Sequence, residues 1–177
     1  RPPSPPPAAP PHRLRRARAI APPTPARNRR RLDAALEPIL RDATDSPGVI
    51  MIDIEHFTSV NDNHGHPVGD TLLRAVVEII RDNVRPHDHV YRYGGEEFLI
   101  VLTNSTVEGA LRVAEALQAA IGEIRAPTSD MRRVTASIGV AVFPDHGREL
   151  DDVVAAADHA MYQAKREGRD RIAVAGT

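Results

Sequence analysis

The chain of 177 residues has no cysteine, no tryptophan, and only three phenylalanines and three tyrosines. Without cysteine, neither a disulfide framework nor a thiolate metal site can form. No apolar stretch approaches the roughly 20 residues of a membrane helix, and nothing resembles a signal peptide. Acid is missing from one end: residues 1–31 hold nine arginines and no aspartate or glutamate. The other 14 basic side chains therefore face all 24 acidic ones, so residues 32–177 carry about ten negative charges before histidine is counted. An acidic domain does not suit duplex nucleic acid, whose binding rests on cationic phosphate contacts. It can still take a nucleotide phosphate when divalent cations intervene.

Ten of the sixteen prolines fall in residues 1–27, among alanine and arginine. Such a segment cannot bury enough apolar surface to offset the entropy of ordering, so residues 1–27 are expected to be a disordered linker. The alternative is a basic arm touching RNA or anionic lipid; the lack of interleaved aromatics argues against it. The first residue is not methionine, so a fragment of a longer protein is expected. Residues 28–177 form one domain of ordinary size, with room for a core.

Asn28 to Ala43 has leucine and isoleucine at helical spacing around Pro38. Gly48 to Ile52 is a short apolar run, as expected of a strand buried on both faces, and it ends in Asp53-Ile54-Glu55. Acids at the carboxyl end of a central strand lie where ligands bind in open α/β sheets. Asn61 to Asp70 is polar and rich in turn formers, which predicts a loop. Helices are predicted over Val68 to Val84, after a capping box at Ser105 to Glu108, and from about Glu149 to Glu167 with Gly168 as a stop. Val134 to Val142 alternates with small residues as a strand, and Arg171 to Ala175 adds an edge strand. The order β-α-β-β-α-β followed by α-β predicts an α+β fold with a ferredoxin-like (split βαβ) sheet.

Arg92-Tyr93-Gly94-Gly95-Glu96-Glu97-Phe98 lies between two apolar runs and predicts a hairpin with acids at its tip. Glycine there supplies a positive φ or lets a ligand approach the backbone. In the split βαβ order the first strand and the hairpin are neighbours, so Asp53 faces Glu96 and Glu97. Clustered carboxylates repel one another unless a proton or cation joins them, and oxygen ligands favour magnesium. Successive strand residues point to opposite faces, so one of the two glutamates ligates directly, and Glu96 is the choice. Lys165 and Arg169, four apart at the end of the last helix, can present two cations to one phosphate tail.

RYGGEEF, with DIEHF, NDNHGHPVGD, VTASIGVAVFP and ADHAMYQAKREGRDR in this order, resembles the GGDEF family of diguanylate cyclases from about Asn28 to Val174. The resemblance implies a nucleotidyl-cyclase-like fold and condensation of two GTP into cyclic di-GMP and two pyrophosphates across a homodimer of domains. Asp53, Glu96 and the carbonyl of Ile54 would hold two magnesium ions, with manganese as a substitute, and Glu97 would assist at the 3′-hydroxyl. Asn61 and Asp70 would bond the guanine edge. Phe57 and the backbone from Glu55, with Gly94, Gly95, Lys165 and Arg169, would enclose the phosphates.

Arg85 and Asp88 match the family's RxxD site, where bound product inhibits. A cytoplasmic domain driven by an upstream sensory domain is expected. Glu55 replaces the family's usual second aspartate, a mild change that adds one methylene. Two further departures stand out. Thr58 replaces the usual lysine of DxDxFK, and Thr24 to Arg30 keeps NRR without its LTGL lead-in. They support an alternative, a weak or silent GGDEF domain that binds GTP or cyclic di-GMP as a regulator. A class III nucleotidyl cyclase shares the sheet and the two-metal logic but gives no reason for the RxxD. Zinc on His56, His64, His66, His87 and His89 is disfavoured, because a histidine in the GH loop is expected without metal.

Overall fold

At the middle of the sheet runs β1 (Gly48–Ile54), every residue of which is buried. The structure, a computed structural model, describes residues 46–124 and 133–176. The linker expected over residues 1–27 and the helix expected over Asn28 to Ala43 lie outside the described residues. The other strands are β2 (His89–Arg92), β3 (Glu97–Leu102), β4 (Ala136–Val142) and β5 (Ile172–Val174). Their spatial order is β2-β3-β1-β4-β5. β1 pairs antiparallel with both β3 and β4, while β5 runs parallel to β4 at the edge. This is the α+β split βαβ sheet predicted from the element order, extended by one strand.

Among the described residues four helices cover it: α1 (Phe57–His64), α2 (His66–Asn83), α3 (Val107–Gly122) and α4 (Leu150–Arg166). Strand side chains alternate between faces, so each strand supplies two cores. Ile50, Ile52, Phe98, Ile100, Ile138 and Val140 pack with the first three helices. Val49, Met51, Leu99, Val101 and Ala141 pack with α4 on the opposite face. The small residues of β4 point toward α4. A Cβ on Gly139 would collide with the carbonyl of Ala157 and the amide of Met161, so glycine is what lets this helix lie close to the sheet.

Three local expectations are corrected. Asn61 to Asp70 is not a loop: its first four residues end α1, and α2 begins at His66 with Pro67 in its first turn. Phe57 and Val60 pack on the core, and Asn63 bonds Ser59 one turn back at 3.0 Å. The break between the helices is one residue, Gly65, at φ 85°. The cap of α3 is Thr106 rather than Ser105; its hydroxyl accepts from the Gly109 amide at 3.1 Å. Finally, Gly94 and Gly95 do not lie in the left-handed region, so close approach, not positive φ, explains the glycine at 94.

Candidate functional site

Strand pairing brings the acids together. Asp53 at the end of β1 stands opposite Glu97 at the start of β3, and the Ile54 amide donates to the Glu96 carbonyl at 3.1 Å. Glu97 is therefore the residue in register with Asp53, and Glu96 belongs to the turn that precedes the strand. Burial pushes all three carboxyls above their ordinary values; for Glu96 and Glu97 the charge of Asp53 adds to the effect. At Asp53 the Lys165 ammonium acts the other way but does not cancel burial.

Two cations come from the end of α4. Lys165 Nζ lies 2.7 Å from Asp53 Oδ2, and Arg169 Nε lies 3.0 Å from Glu55 Oε2. The other oxygen of Glu55 accepts from the hydroxyl of Ser137, a wholly buried residue of β4. Arg169 sits just past the helix in a turn where Gly168, Arg169 and Asp170 have φ of 115°, 62° and 45°. The left-handed region costs a residue with a side chain about 1 kcal/mol or more, so this turn is held by its surroundings. Sequence reasoning found both cations but gave no role to Ser137 and only a backbone role to Glu55. The available signal was a hydroxyl inside a strand of otherwise apolar residues.

The hairpin tip is a four-residue connection, braced from both sides. Tyr93 and Gly94 amides donate to the Glu97 carbonyl at 2.8 and 3.2 Å, and the Arg92 guanidinium donates to the Gly95 carbonyl at 2.6 Å. A Cβ on Gly94 would strike the Glu97 carboxylate, whereas one on Gly95 would meet open space. Gly94 thus makes room for an acid of the site.

Ahead of α1 the chain turns sharply at His56, φ 61°, with no side chain capping the helix. The leading amides of an α-helix lack intrahelical acceptors and favour an anion. The Glu55 amide is not among them, since it donates to the Thr135 carbonyl at 2.9 Å. Phe57 is buried, and Thr58 is exposed on the first turn. The Asn61 side-chain oxygen is buried without a hydrogen-bond partner, pressed against Gly69, the residue before Asp70. A buried acceptor left unpaired costs roughly 1–3 kcal/mol, which a donor on a ligand would recover. Asp70 itself is exposed and lines a groove of about 440 Å³ with Leu73, Arg74, Arg92 and Phe98.

Arg85 and Asp88 lie at the opposite end of β2 from the hairpin tip. Asp88 accepts from the Arg85 amide at 2.8 Å and from the Thr103 amide at 3.0 Å, closing its own turn and tying it to the end of β3. The Arg85 side chain is exposed.

Among the described residues no three His, Asp or Glu side chains form a ready-made metal cage. The donor set nevertheless fits a hard divalent cation: it is all oxygen, and its carboxyls are raised by burial and mutual repulsion, which added positive charge would relieve.

Comparison with known proteins agrees with the geometry. The family profile described as diguanylate cyclase, GGDEF domain, matches residues 22–171, and the chain belongs to that family. It is 40% identical over 126 residues to diguanylate cyclase DosC of Escherichia coli K12, covering 70% of this chain and 27% of DosC. The chain thus spans about a quarter of the length of that relative. The crystal structure of the GGDEF domain of YfiN (TpbB) from Pseudomonas aeruginosa is 34% identical with a TM-score of 0.77, covering 85% of this chain and 96% of that one. The GGDEF domain of DgcB from Caulobacter crescentus, in complex with c-di-GMP, is 29% identical with a TM-score of 0.76, covering 85% and 91%. No described helix is long and apolar enough to cross a membrane.

Proposed function

We propose that this domain is a diguanylate cyclase that condenses two GTP molecules into cyclic di-GMP and two pyrophosphates. The observation that carries this reading is the convergence of Asp53, Glu96 and Glu97 on one end of the sheet, with Lys165 and Arg169 beside them. Magnesium, or manganese in its place, held by Asp53, Glu96 and the Ile54 carbonyl, would supply positive charge to the triphosphate and to the attacking and leaving oxygens. Glu97 would hold the 3′-hydroxyl or its proton. Lys165 and Arg169, with the leading amides of α1, would hold the phosphate tail. Asn61 and Asp70 would accept from the guanine N1–H and amino groups. Adenine offers no matching donors and would leave the buried Asn61 oxygen unpaired.

Each domain would bind one GTP, and two domains would meet so that the 3′-oxygen of each nucleotide attacks the α-phosphorus of the other. Product would bind at Arg85, whose exposed guanidinium can fork onto a phosphate, and would hold domains apart from the productive pair. Asp88 would serve that site chiefly by holding its turn closed. The catalytic unit would run from residue 28 to 177, with residues 1–27 as its linker.

Thr58 favours a second reading. It is exposed on the first turn of α1, at the position where the family's lysine would add a cation. On that reading the domain binds GTP or cyclic di-GMP and regulates a partner without turnover. Pyrophosphate release from GTP with magnesium, followed at high protein concentration so that weak pairing does not pass for inactivity, separates the two. Release with formation of cyclic di-GMP is expected; nucleotide binding with no release would overturn the cyclase.

A further inference from the structure

We infer that Ser137 and Glu55 form a positioning pair that holds Arg169 ready for the terminal phosphate of the bound nucleoside triphosphate. The inference rests on the nucleotide-binding reading above and adds two residues that do not themselves touch the substrate.

Glu55 is 7% exposed, and both its oxygens are committed: one accepts from the Ser137 hydroxyl, the other pairs with Arg169 Nε at 3.0 Å. A buried carboxylate needs such donors, and a buried hydroxyl needs an acceptor, so each fixes the other. Nothing in the packing of β4 requires the hydroxyl, since Ser137 lies among Ala136, Ile138 and Gly139 in a strand that is buried throughout. Among the described residues the hydroxyl's hydrogen-bond partner is Glu55.

Arg169 gains most from this arrangement. It lies on a turn of three successive positive φ angles, anchored by its amide to the Ala164 carbonyl at 3.0 Å. Its long side chain would otherwise sample many rotamers, and immobilising such a chain at binding weakens affinity. The Glu55 bridge holds it at Nε while 55% of the side chain stays exposed to meet a ligand. The two bridges at the end of α4 therefore differ. Asp53 gives one oxygen to Lys165 and has the other for a metal ion, which would compete with the ammonium, whereas Glu55, with both oxygens committed, can keep Arg169 in place throughout.

The test is a double-mutant cycle of Ser137→Ala and Arg169→Ala, read as KM and kcat for GTP with magnesium and as affinity for GMP. Ser137→Ala should raise KM for GTP about three- to tenfold with kcat within about twofold, and leave GMP affinity within about twofold. In the Arg169→Ala background the serine change should move KM by less than about twofold, because its effect passes through the arginine. Ser137→Thr, which keeps the hydroxyl, should restore the wild-type KM. An unchanged KM in Ser137→Ala, an equal loss for GMP, or a full effect without Arg169 would overturn the pair. If Ser137→Ala loses its cooperative melt, Ser137→Cys, of similar volume and a weaker donor, carries the same cycle. A domain that binds GTP without turnover takes the cycle on Kd. Wild-type protein that does not bind GTP would overturn the nucleotide reading itself, and the pair with it.

Discussion

Lys165 Nζ lies 2.7 Å from Asp53 Oδ2, joining the last turn of α4 to the end of β1. The Asp53 side chain is 6% exposed and that of Lys165 26%, so an ammonium compensates a buried carboxylate at the point where Glu96 and Glu97 also gather. A metal ion on Asp53 competes with that ammonium for the carboxylate's charge, and a loosened bridge frees the ammonium for a phosphate.

Replacing Lys165 by Met should therefore expose the competition. Without metal, the variant should lose about 1–2 kcal/mol of stability at neutral pH, a buried-pair cost reduced because Lys165 is partly solvated. Added magnesium should raise the melting temperature of Lys165→Met more than that of the wild type, since no ammonium competes for Asp53. Equal magnesium responses would contradict the placement of a cation at Asp53.

The acids also set a pH dependence. Glu97 has its carboxyl raised by burial first and by Asp53 second. A carboxyl with a raised folded pKa binds its proton more tightly when folded, so it favours folding at acid pH and loses that contribution as pH rises through the folded value. In chelator, Glu97→Gln should thus gain stability relative to wild type as pH rises above the ordinary glutamate range, as urea midpoints would show. A difference that does not change with pH would contradict the shift.

The seat of α4 offers a third test. Gly139→Ala would place a Cβ into the backbone of Ala157 and Met161. The cost should be about 1–3 kcal/mol by urea denaturation, as for overpacking in general. Movement of α4 would carry Lys165 and Arg169 with it, so KM for GTP should also rise. A neutral substitution would show that the helix is not seated by this glycine.

Much of this was legible in the chain itself. The alternation of Val134 to Val142 predicts β4 and already separates its large side chains, on one face, from the small ones that admit α4. The acids after β1 and around the Gly94–Gly95 turn predict their own convergence once the strand order is known. The stretch from Asn61 to Asp70 was not legible, because turn-forming residues there serve two helices separated by one glycine. Neither was the reason for Gly94, which is steric room for Glu97 and depends on a rotamer that spacing does not encode. Ser137 escaped because its partner, Glu55, is distant in sequence and is met only through the pairing of β1 with β4.

Arg85→Ala should relieve product inhibition and leave the uninhibited rate unchanged, measured as initial velocity with added cyclic di-GMP. Asp88 is the poorer choice, since its removal also frees the amides of Arg85 and Thr103. Inhibition persisting at wild-type strength in Arg85→Ala would show that this tetrapeptide only ends a helix.

Magnesium-dependent turnover of GTP by Glu96→Gln, beside wild type at the same high protein concentration, tests the account most directly. The substitution preserves volume and removes one carboxylate from the cluster, so the fold should persist while cyclic di-GMP formation falls on the order of a hundredfold or more. Turnover at the wild-type rate would contradict a cation-holding role for the acids gathered at the end of β1.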